Sequence, residues 1–477
     1  MKIITLAAEN EAEQEVLKAV SKHPEIQHCI IFAPSLPWDD KLFQRPQQLA
    51  RALAKNGALV FYMQPDRSRP PVFTEIEERL FLCQTPADAF RVLPDAFVYV
   101  LTWSIPALAY FDSPRIIYDY LDDLSVFQGD PQRIRRDHGD YLLKADLAIT
   151  TAQRLYQEAI VLRPDVLLCP NAADAQHFEN STGNIPEDLA SILAKGKPII
   201  GYHGAMARWF DYTLLQQIAN QRPDYSFVLI GSDHDQTLQS SDILSQPNIH
   251  WLGPKPYNEL PRYVSHFTIG TIPFIANDIT HATSPIKLFE YFAAGKPVVA
   301  SAMEEIQKYP QILIASNPEE WLKQIDLAIE YAQDSVFVEK LQAIGQENSW
   351  LARASTILER INSLGTRTKL KTWQPNHPRL KQLIRVFSKV VKVWKLSGFG
   401  GLLRGIGYKV NERIAYLQRF PLFRTPRSLA DTYFPEDNSQ VTLYSDDANL
   451  FPTYWPRHPM PSTDIKTTSS FFNCNYL

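Results

Sequence analysis

The 477 residues, 45% hydrophobic and 21% charged, describe a globular chain too long for one ordinary domain, so two or three are expected. The longest apolar candidate, residues 97–111, is broken by Ser104 and Pro106, and MKIITLAAENEAEQE turns acidic before a signal core could form; neither a membrane span nor a leader is expected, and the chain reads as cytoplasmic. The net charge of −4 conceals an imbalance: residues 366–420 hold 13 Lys or Arg against Glu412 alone, a local +12 that leaves −4 − 12 = −16 for the rest.

Residues 1–27 read as a helical lead without evident chemistry. A first domain is expected over 28–180. CIIFAP (29–34) reads as a strand and QRPQQLARALAKNG (44–57) as a helix ending at Gly57. ALVFYMQP, RLFLCQT, AFVYVLTW, RIIYDYLDD, ADLAITTAQ and VLLCPNAAD then follow, making seven strands before residue 175. Near-continuous apolar strands alternating with helices describe a parallel sheet covered on both faces.

STGNIPEDLASILAKGK (181–197) reads as a linker leading into a second domain over 181–347, where KPIIGYHG, YSFVLIGS, NIHWLG, FTIGTIPF, KPVVAS and QILIAS restart the alternation. NSWLARASTILERINSL is expected to close this half as a helix over 348–365. Two successive α/β sheets would put a ligand cleft between them, at the carboxyl ends of both sets of strands. The cysteines, Cys29, Cys83, Cys169 and Cys474, are scattered without metal-ligand spacing, and the first three sit in apolar runs as small hydrophobes.

Chemistry concentrates in HATSPIKLFEYFAAGKPVVAS (281–301). Ser284 reads as an N-cap, Pro285 as the first helical residue and Gly295 as the stop. Lys287 in the first turn opposes the helix dipole, which makes sense if an anion sits at the N-terminus. Free N–H groups and Lys287 would hold a diphosphate, and Glu290, three residues on, would accept ribose hydroxyls. The competing reading is a surface Lys287–Glu290 pair, in the weaker order.

This segment resembles the donor-site signature of GT-B-fold glycosyltransferases, in particular the family 4-like, group 1 members. The resemblance extends over about residues 28–365, through WDDKLFQRPQQLARAL, YDYLDD, LLCPNAAD and GYHGAMARWFD. It implies two Rossmann-like domains with a cleft between them and a nucleotide-diphosphate sugar as donor. The backbone at Ser284–Pro285, with Lys287, would hold the diphosphate and Glu290 the ribose. Gly204 would approach the phosphates closely, Arg208 would add charge, and the loop around Gly253 would border the nucleobase. Many relatives carry a second Glu eight residues before the ribose-binding one; here that position is Ala282, and Asn277, Asp278 or His281 would take over the sugar contacts.

Glycosyl transfer needs a base for the acceptor hydroxyl. Asp122, then Asp123, past the strand RIIYDY, are the catalytic candidates, unless one of them caps the next turn. Arg45 would face an acceptor or pair with Asp119, Asp122 or Asp123. SDHD (232–235) has the form of a metal motif but falls in a loop of a fold expected to need neither metal nor other cofactor. Beyond 365, a basic extension leads into an irregular tail. Leu380, Leu383, Ile384, Phe387, Val390, Val391 and Trp394 share one face of a helix over 378–396, with Lys381, Arg385, Lys389, Lys392 and Lys395 opposite. Such a helix suits an anionic membrane surface on the cytoplasmic side. No nucleic-acid motif accompanies the charge. The expected function is transfer of a sugar to a lipid-linked or polysaccharide acceptor. A sugar-nucleotide epimerase on the same fold, or a non-catalytic binding protein of polysaccharide assembly, would use the same cleft.

Overall fold

The computed structural model describes residues 5–40, 42–65, 73–179 and 184–365; the basic stretch, the helix expected over 378–396 and the tail lie outside them. The first sheet has eight strands: β1 (Cys29–Phe32), β2 (Leu59–Met63), β3 (Phe73–Glu77), β4 (Leu80–Cys83), β5 (Phe97–Leu101), β6 (Arg115–Tyr120), β7 (Leu147–Thr150) and β8 (Leu167–Leu168). They lie in the order β3-β4-β2-β1-β5-β6-β7-β8. CIIF, LVFYM and FVYVL are buried at every position, as strands covered on both faces must be. The sequence reading missed β3. FTEIE alternates polar and apolar residues and is only partly buried, because it is an edge strand running antiparallel to β4.

The second sheet is parallel throughout: β9 (Ile199–His203), β10 (Ser226–Ile230), β11 (Ile249–Trp251), β12 (Ile269–Ile272), β13 (Val298–Ser301) and β14 (Leu313–Ala315), ordered β11-β10-β9-β12-β13-β14. In both sheets the chain winds outward in one direction and then returns to the far side of its first strand. The reversal points are therefore the carboxyl ends of β1 and β9, where crevices open in sheets of this kind.

Three segments differ from expectation. Within 181–197 a short helix, Glu187–Leu193, buries Leu189 and Ile192 in the second core, so this stretch is more than a linker. The lead contains a helix, Glu11–Lys22, whose Val16 and Ala19 join the first core while Arg91 donates to the buried Glu13 (2.6 Å). The last helix, Trp350–Ser363, does not close the second domain. Trp350, Ala354, Ile357 and Ile361 enter the first core beside the helix Arg45–Lys55, and the Asn56 amide donates to Leu351 O (2.9 Å). Cys29, Cys83 and Cys169 are buried free thiols. Among the described residues no helix is long and apolar enough to cross a membrane.

Candidate functional site

A cleft of about 820 Å³, counted to its open mouth, forms where the two reversal points meet. Leu42, Phe43 and Gln44, on the loop after β1, line one side; His203 at the end of β9 with Gly204 and Ala205 beyond it, Gly231 and Ser232 after β10, and Ile286, Lys287 and Glu290 line the other. His203 pairs with Ile230 in register, so Gly204 and Gly231 leave the sheet side by side. Both have left-handed φ, +128° and +144°. A Cβ on Gly231 would come within 1.9 Å of the Gly204 carbonyl, and one on Gly204 within 2.9 Å of Lys287 Cε. Only glycine permits this approach, and Lys287 is laid over the bare backbone it creates.

Lys287 lies in the first turn of the helix Ile286–Ala293. It is 8% exposed, with Nζ over the rings of Phe274 (4.7 Å) and Tyr202 (5.4 Å) and no ion-pair or hydrogen-bond partner among the described residues. Burial lowers its pKa to about 8 against the pull of Glu290. Glu290 is buried too. Desolvation raises its carboxyl to about 8, with Lys287 and the Tyr257 hydroxyl opposing. The two do not bridge, so the surface-pair reading fails: each charge is disfavoured by burial and neither neutralises the other by contact. An anion at the helix N-terminus would favour the ammonium form.

The first domain presents the opposite case. Asp119 in β6 is fully buried against Arg45, which donates from Nε to Oδ2 (2.6 Å) and from Nη2 to Oδ1 (3.3 Å); Tyr99 also donates to this carboxylate. Arg45 Nη1 donates to Asn171 Oδ1 (3.1 Å), and Asn171 in turn donates from Nδ2 to Ser284 O (2.7 Å) and from its main chain to Ser284 Oγ (3.2 Å). A continuous strut thus runs from β6 to the start of the Lys287 helix. The expectation that Arg45 faces an acceptor is corrected, since it is 1% exposed, and the alternative, a pair with an aspartate of this stretch, is the one that holds. Ser284 is likewise no N-cap, because its hydroxyl accepts from Asn171 and Pro285 occupies the cap position.

Asp122 and Asp123 separate cleanly. Asp123 caps the turn Leu124–Val126, accepting from Ser125 N (2.8 Å) and Oγ (2.6 Å). Asp122 is 8% exposed and accepts no hydrogen bond from a described residue. Burial, then the neighbouring Asp119 and Asp123, raises its pKa to about 7 against the pull of Arg45. Neither acid is among the residues lining the Lys287 cleft; both lie past the carboxyl end of β6.

Other candidates hold structural posts. Asn277 accepts from Ile279 N and Thr280 N (both 3.0 Å), Asp278 pairs with Arg154 of the first domain (3.0 Å), and His281 Nδ1 accepts from Glu304 N (3.2 Å). None of the three is among the residues lining this cleft. Arg208 is exposed outside the lining, its main-chain N–H donating to Asp235 (3.0 Å). Asp233 accepts from Leu238 N and Gln239 N, and Asp235 also from Thr237, so both carboxylates of SDHD brace their own loop.

The sequence reading missed several cleft residues. Tyr257 reaches Phe43 of the first domain (5.4 Å between rings) from the irregular PKPYNEL, which carries no periodic signal. His203 and Gln44 also carry buried side-chain nitrogens (both Nε2) without hydrogen-bond partners among the described residues. For His203 a signal existed: a titratable residue ending a buried strand directly before a glycine.

Residues 197–331 match the family described as Glycosyl transferases group 1. TuaH of Bacillus subtilis (strain 168), assigned as a teichuronic acid biosynthesis glycosyltransferase, is 26% identical over 169 residues; the match spans 34% of this chain and 43% of TuaH. Two solved structures share the fold. Sucrose-phosphate synthase from Thermosynechococcus elongatus has a TM-score of 0.53 at 17% identity, over 71% of this chain and 99% of that one. The Escherichia coli structure described as trehalose-6-phosphate bound with UDP-2-fluoro glucose has a TM-score of 0.55 at 12% identity, over 72% and 100%. The described chain therefore has the GT-B fold of these structures, and its second domain carries the match to the group 1 glycosyltransferase family.

Proposed function

We propose that this chain transfers a sugar from a nucleotide-diphosphate donor to a hydroxyl of a glycan or lipid-linked acceptor. One observation carries the reading. Lys287 is desolvated and unpaired in the first turn of a helix, over a glycine backbone that leaves room for a ligand's phosphates. That is an anion site built from a cation, helix N–H groups and open main chain. As the sugar leaves, negative charge grows on the diphosphate, and a fixed cation in a water-poor cleft stabilises it most at that moment. These groups supply the charge a metal ion otherwise would, so the reaction is proposed to be metal-independent.

Glu290 accepts ribose hydroxyls, and Asp122 takes the acceptor's proton as its oxygen attacks the anomeric carbon. A pKa near 7 suits that task, because the base is then both available and strong enough. The glycan acceptor is supported by the name of TuaH. A lipid-linked one is supported by the basic, one-sided helix expected over 378–396, which would hold the enzyme at an anionic membrane surface.

Calorimetry with UDP, GDP and ADP tests the donor site. UDP comes first because a resembling fold was solved with a UDP sugar. Lys287→Ala should weaken the nucleotide that binds by about ten-fold or more, as expected for a charge-assisted phosphate contact, while circular dichroism stays unchanged. Unchanged affinity would sink the assignment.

A further inference from the structure

The cleft wall contains a group used neither by the diphosphate site nor by the acid past β6. His203 ends β9, and its main-chain N–H donates to the Tyr291 hydroxyl (3.0 Å). Its ring is wedged edge-on to Tyr291 (4.9 Å between centroids) and nearly parallel to Phe178 (6.0 Å). Nε2 is buried, has no hydrogen-bond partner among the described residues, and lies 3.4 Å from Oε2 of Glu290. Burial, with the charge of Lys287, keeps the imidazole neutral. A neutral imidazole protonated on Nε2 is a donor on that side.

A buried ring nitrogen without a partner is costly, and a ring held by two aromatic neighbours cannot simply turn to find one. Glu290 is the acceptor placed beside it, and a small torsion of that side chain would close the gap. A carboxyl group held at one oxygen has the other fixed in direction. We propose that His203 is a positioning residue whose Nε2–H holds Oε2 of Glu290, leaving Oε1 aimed into the cleft at a ribose hydroxyl of the donor. This rests on the reading of Glu290 as the ribose-binding group. Its consequence is discrimination: the site rejects a nucleotide lacking that hydroxyl, and loses this selectivity when the histidine goes.

The probes are UDP and 2′-deoxy-UDP, or the same pair for whichever base binds, titrated by calorimetry into the full chain. The wild type should favour the ribonucleotide by up to about ten-fold, the size of one lost hydrogen bond. His203→Phe keeps the aromatic packing and removes the nitrogen; the preference should collapse towards unity while 2′-deoxy-UDP binds nearly as before. His203→Gln, whose amide nitrogen reaches a similar point, should restore most of the preference. His203→Leu takes the place of the phenyl variant if that does not fold.

A merely structural histidine would lower the melting temperature of all three variants and leave the ratio untouched, which would overturn the proposal. Glu290→Ala separates the two levels of inference. If it abolishes the preference and His203→Phe does not, His203 has no positioning role. If Glu290→Ala retains the preference, the ribose reading of Glu290 fails and takes this inference with it.

Discussion

The end of β6 in the first domain and the start of the Lys287 helix in the second both hide charge from water, with opposite results. At β6 the balance is closed: Arg45 and Asp119 satisfy one another, and the strut through Asn171 puts the remaining guanidinium donors to use. What remains over is a carboxyl, Asp122, with no hydrogen-bond partner among the described residues. At the helix start the balance is left open, and what remains over is an ammonium. Buried charges in contact hold the fold together, whereas buried groups without a contact are those a ligand or a proton can act upon. One domain thus leaves an acid without a contact and the other a cation, the two groups that the proposed transfer would use.

Removing the unpaired acid should have the largest effect. Asp122→Asn should lower kcat by about 10²–10⁴-fold with donor affinity nearly unchanged, since a general base acts in the transition state. In the wild type, kcat/KM should rise with pH through about 7 as the carboxylate forms, and this limb should vanish in the variant. The stability sign is opposite. Asp122 has a folded pKa above its ordinary 3.8, so its contribution is favourable below that value and is lost as pH rises through about 7. Asp122→Asn should therefore unfold no more easily than wild type at pH 8. A variant both inactive and strongly destabilised there would place Asp122 among the structural acids instead.

How much of this contrast the sequence could show depended on whether function left a local mark. Thirteen of the fourteen strands were legible as continuous apolar runs, because parallel strands are buried on both faces; β3 was not, because edge strands alternate. Lys287 was legible because a cation in a first helical turn breaks a local electrostatic rule. Which of Asp122 and Asp123 is a cap was not, since both precede the same turn and only the backbone path decides. Nor could spacing reveal that Asn277 and Asp278 are committed elsewhere, or single out Asp119 as the partner of Arg45. Their partners lie in the next turn, the other domain and a strand 74 residues away.

The closed pair offers a sharper test of the contrast. Arg45→Met should leave the Asp119 carboxylate buried against nothing but Tyr99, and cost about 3–5 kcal/mol of stability in urea denaturation. Removing both charges, in Arg45→Met with Asp119→Leu, should recover much of that loss, because two well-packed apolar groups replace an ion pair with little net change. If the double variant recovers stability but not turnover, the strut also matters for aligning the Lys287 helix. If Arg45→Met is instead stable but fails only with acceptor, Arg45 belongs to the acceptor site after all.

The smallest effect should come from the acid next door, and it is the most discriminating for that reason. Asp123 differs from Asp122 by one position and shares its chemistry, yet its carboxylate already accepts from Ser125 N and Oγ. Asp123→Ala should therefore behave as the loss of a cap, costing about 1 kcal/mol of stability. Asp123→Ser, which keeps a capping oxygen without a carboxylate, should recover most of that cost. Turnover should stay within a few-fold of wild type in both, with the pH limb shifted slightly down, because Asp123 is one of the charges that raise the Asp122 pKa. A large loss of turnover in the stable Asp123→Ser variant would move the catalytic base by one residue. It would also mean that the free carboxyl at β6 is not the reactive one, which would break the contrast between paired and unpaired charge at its central point.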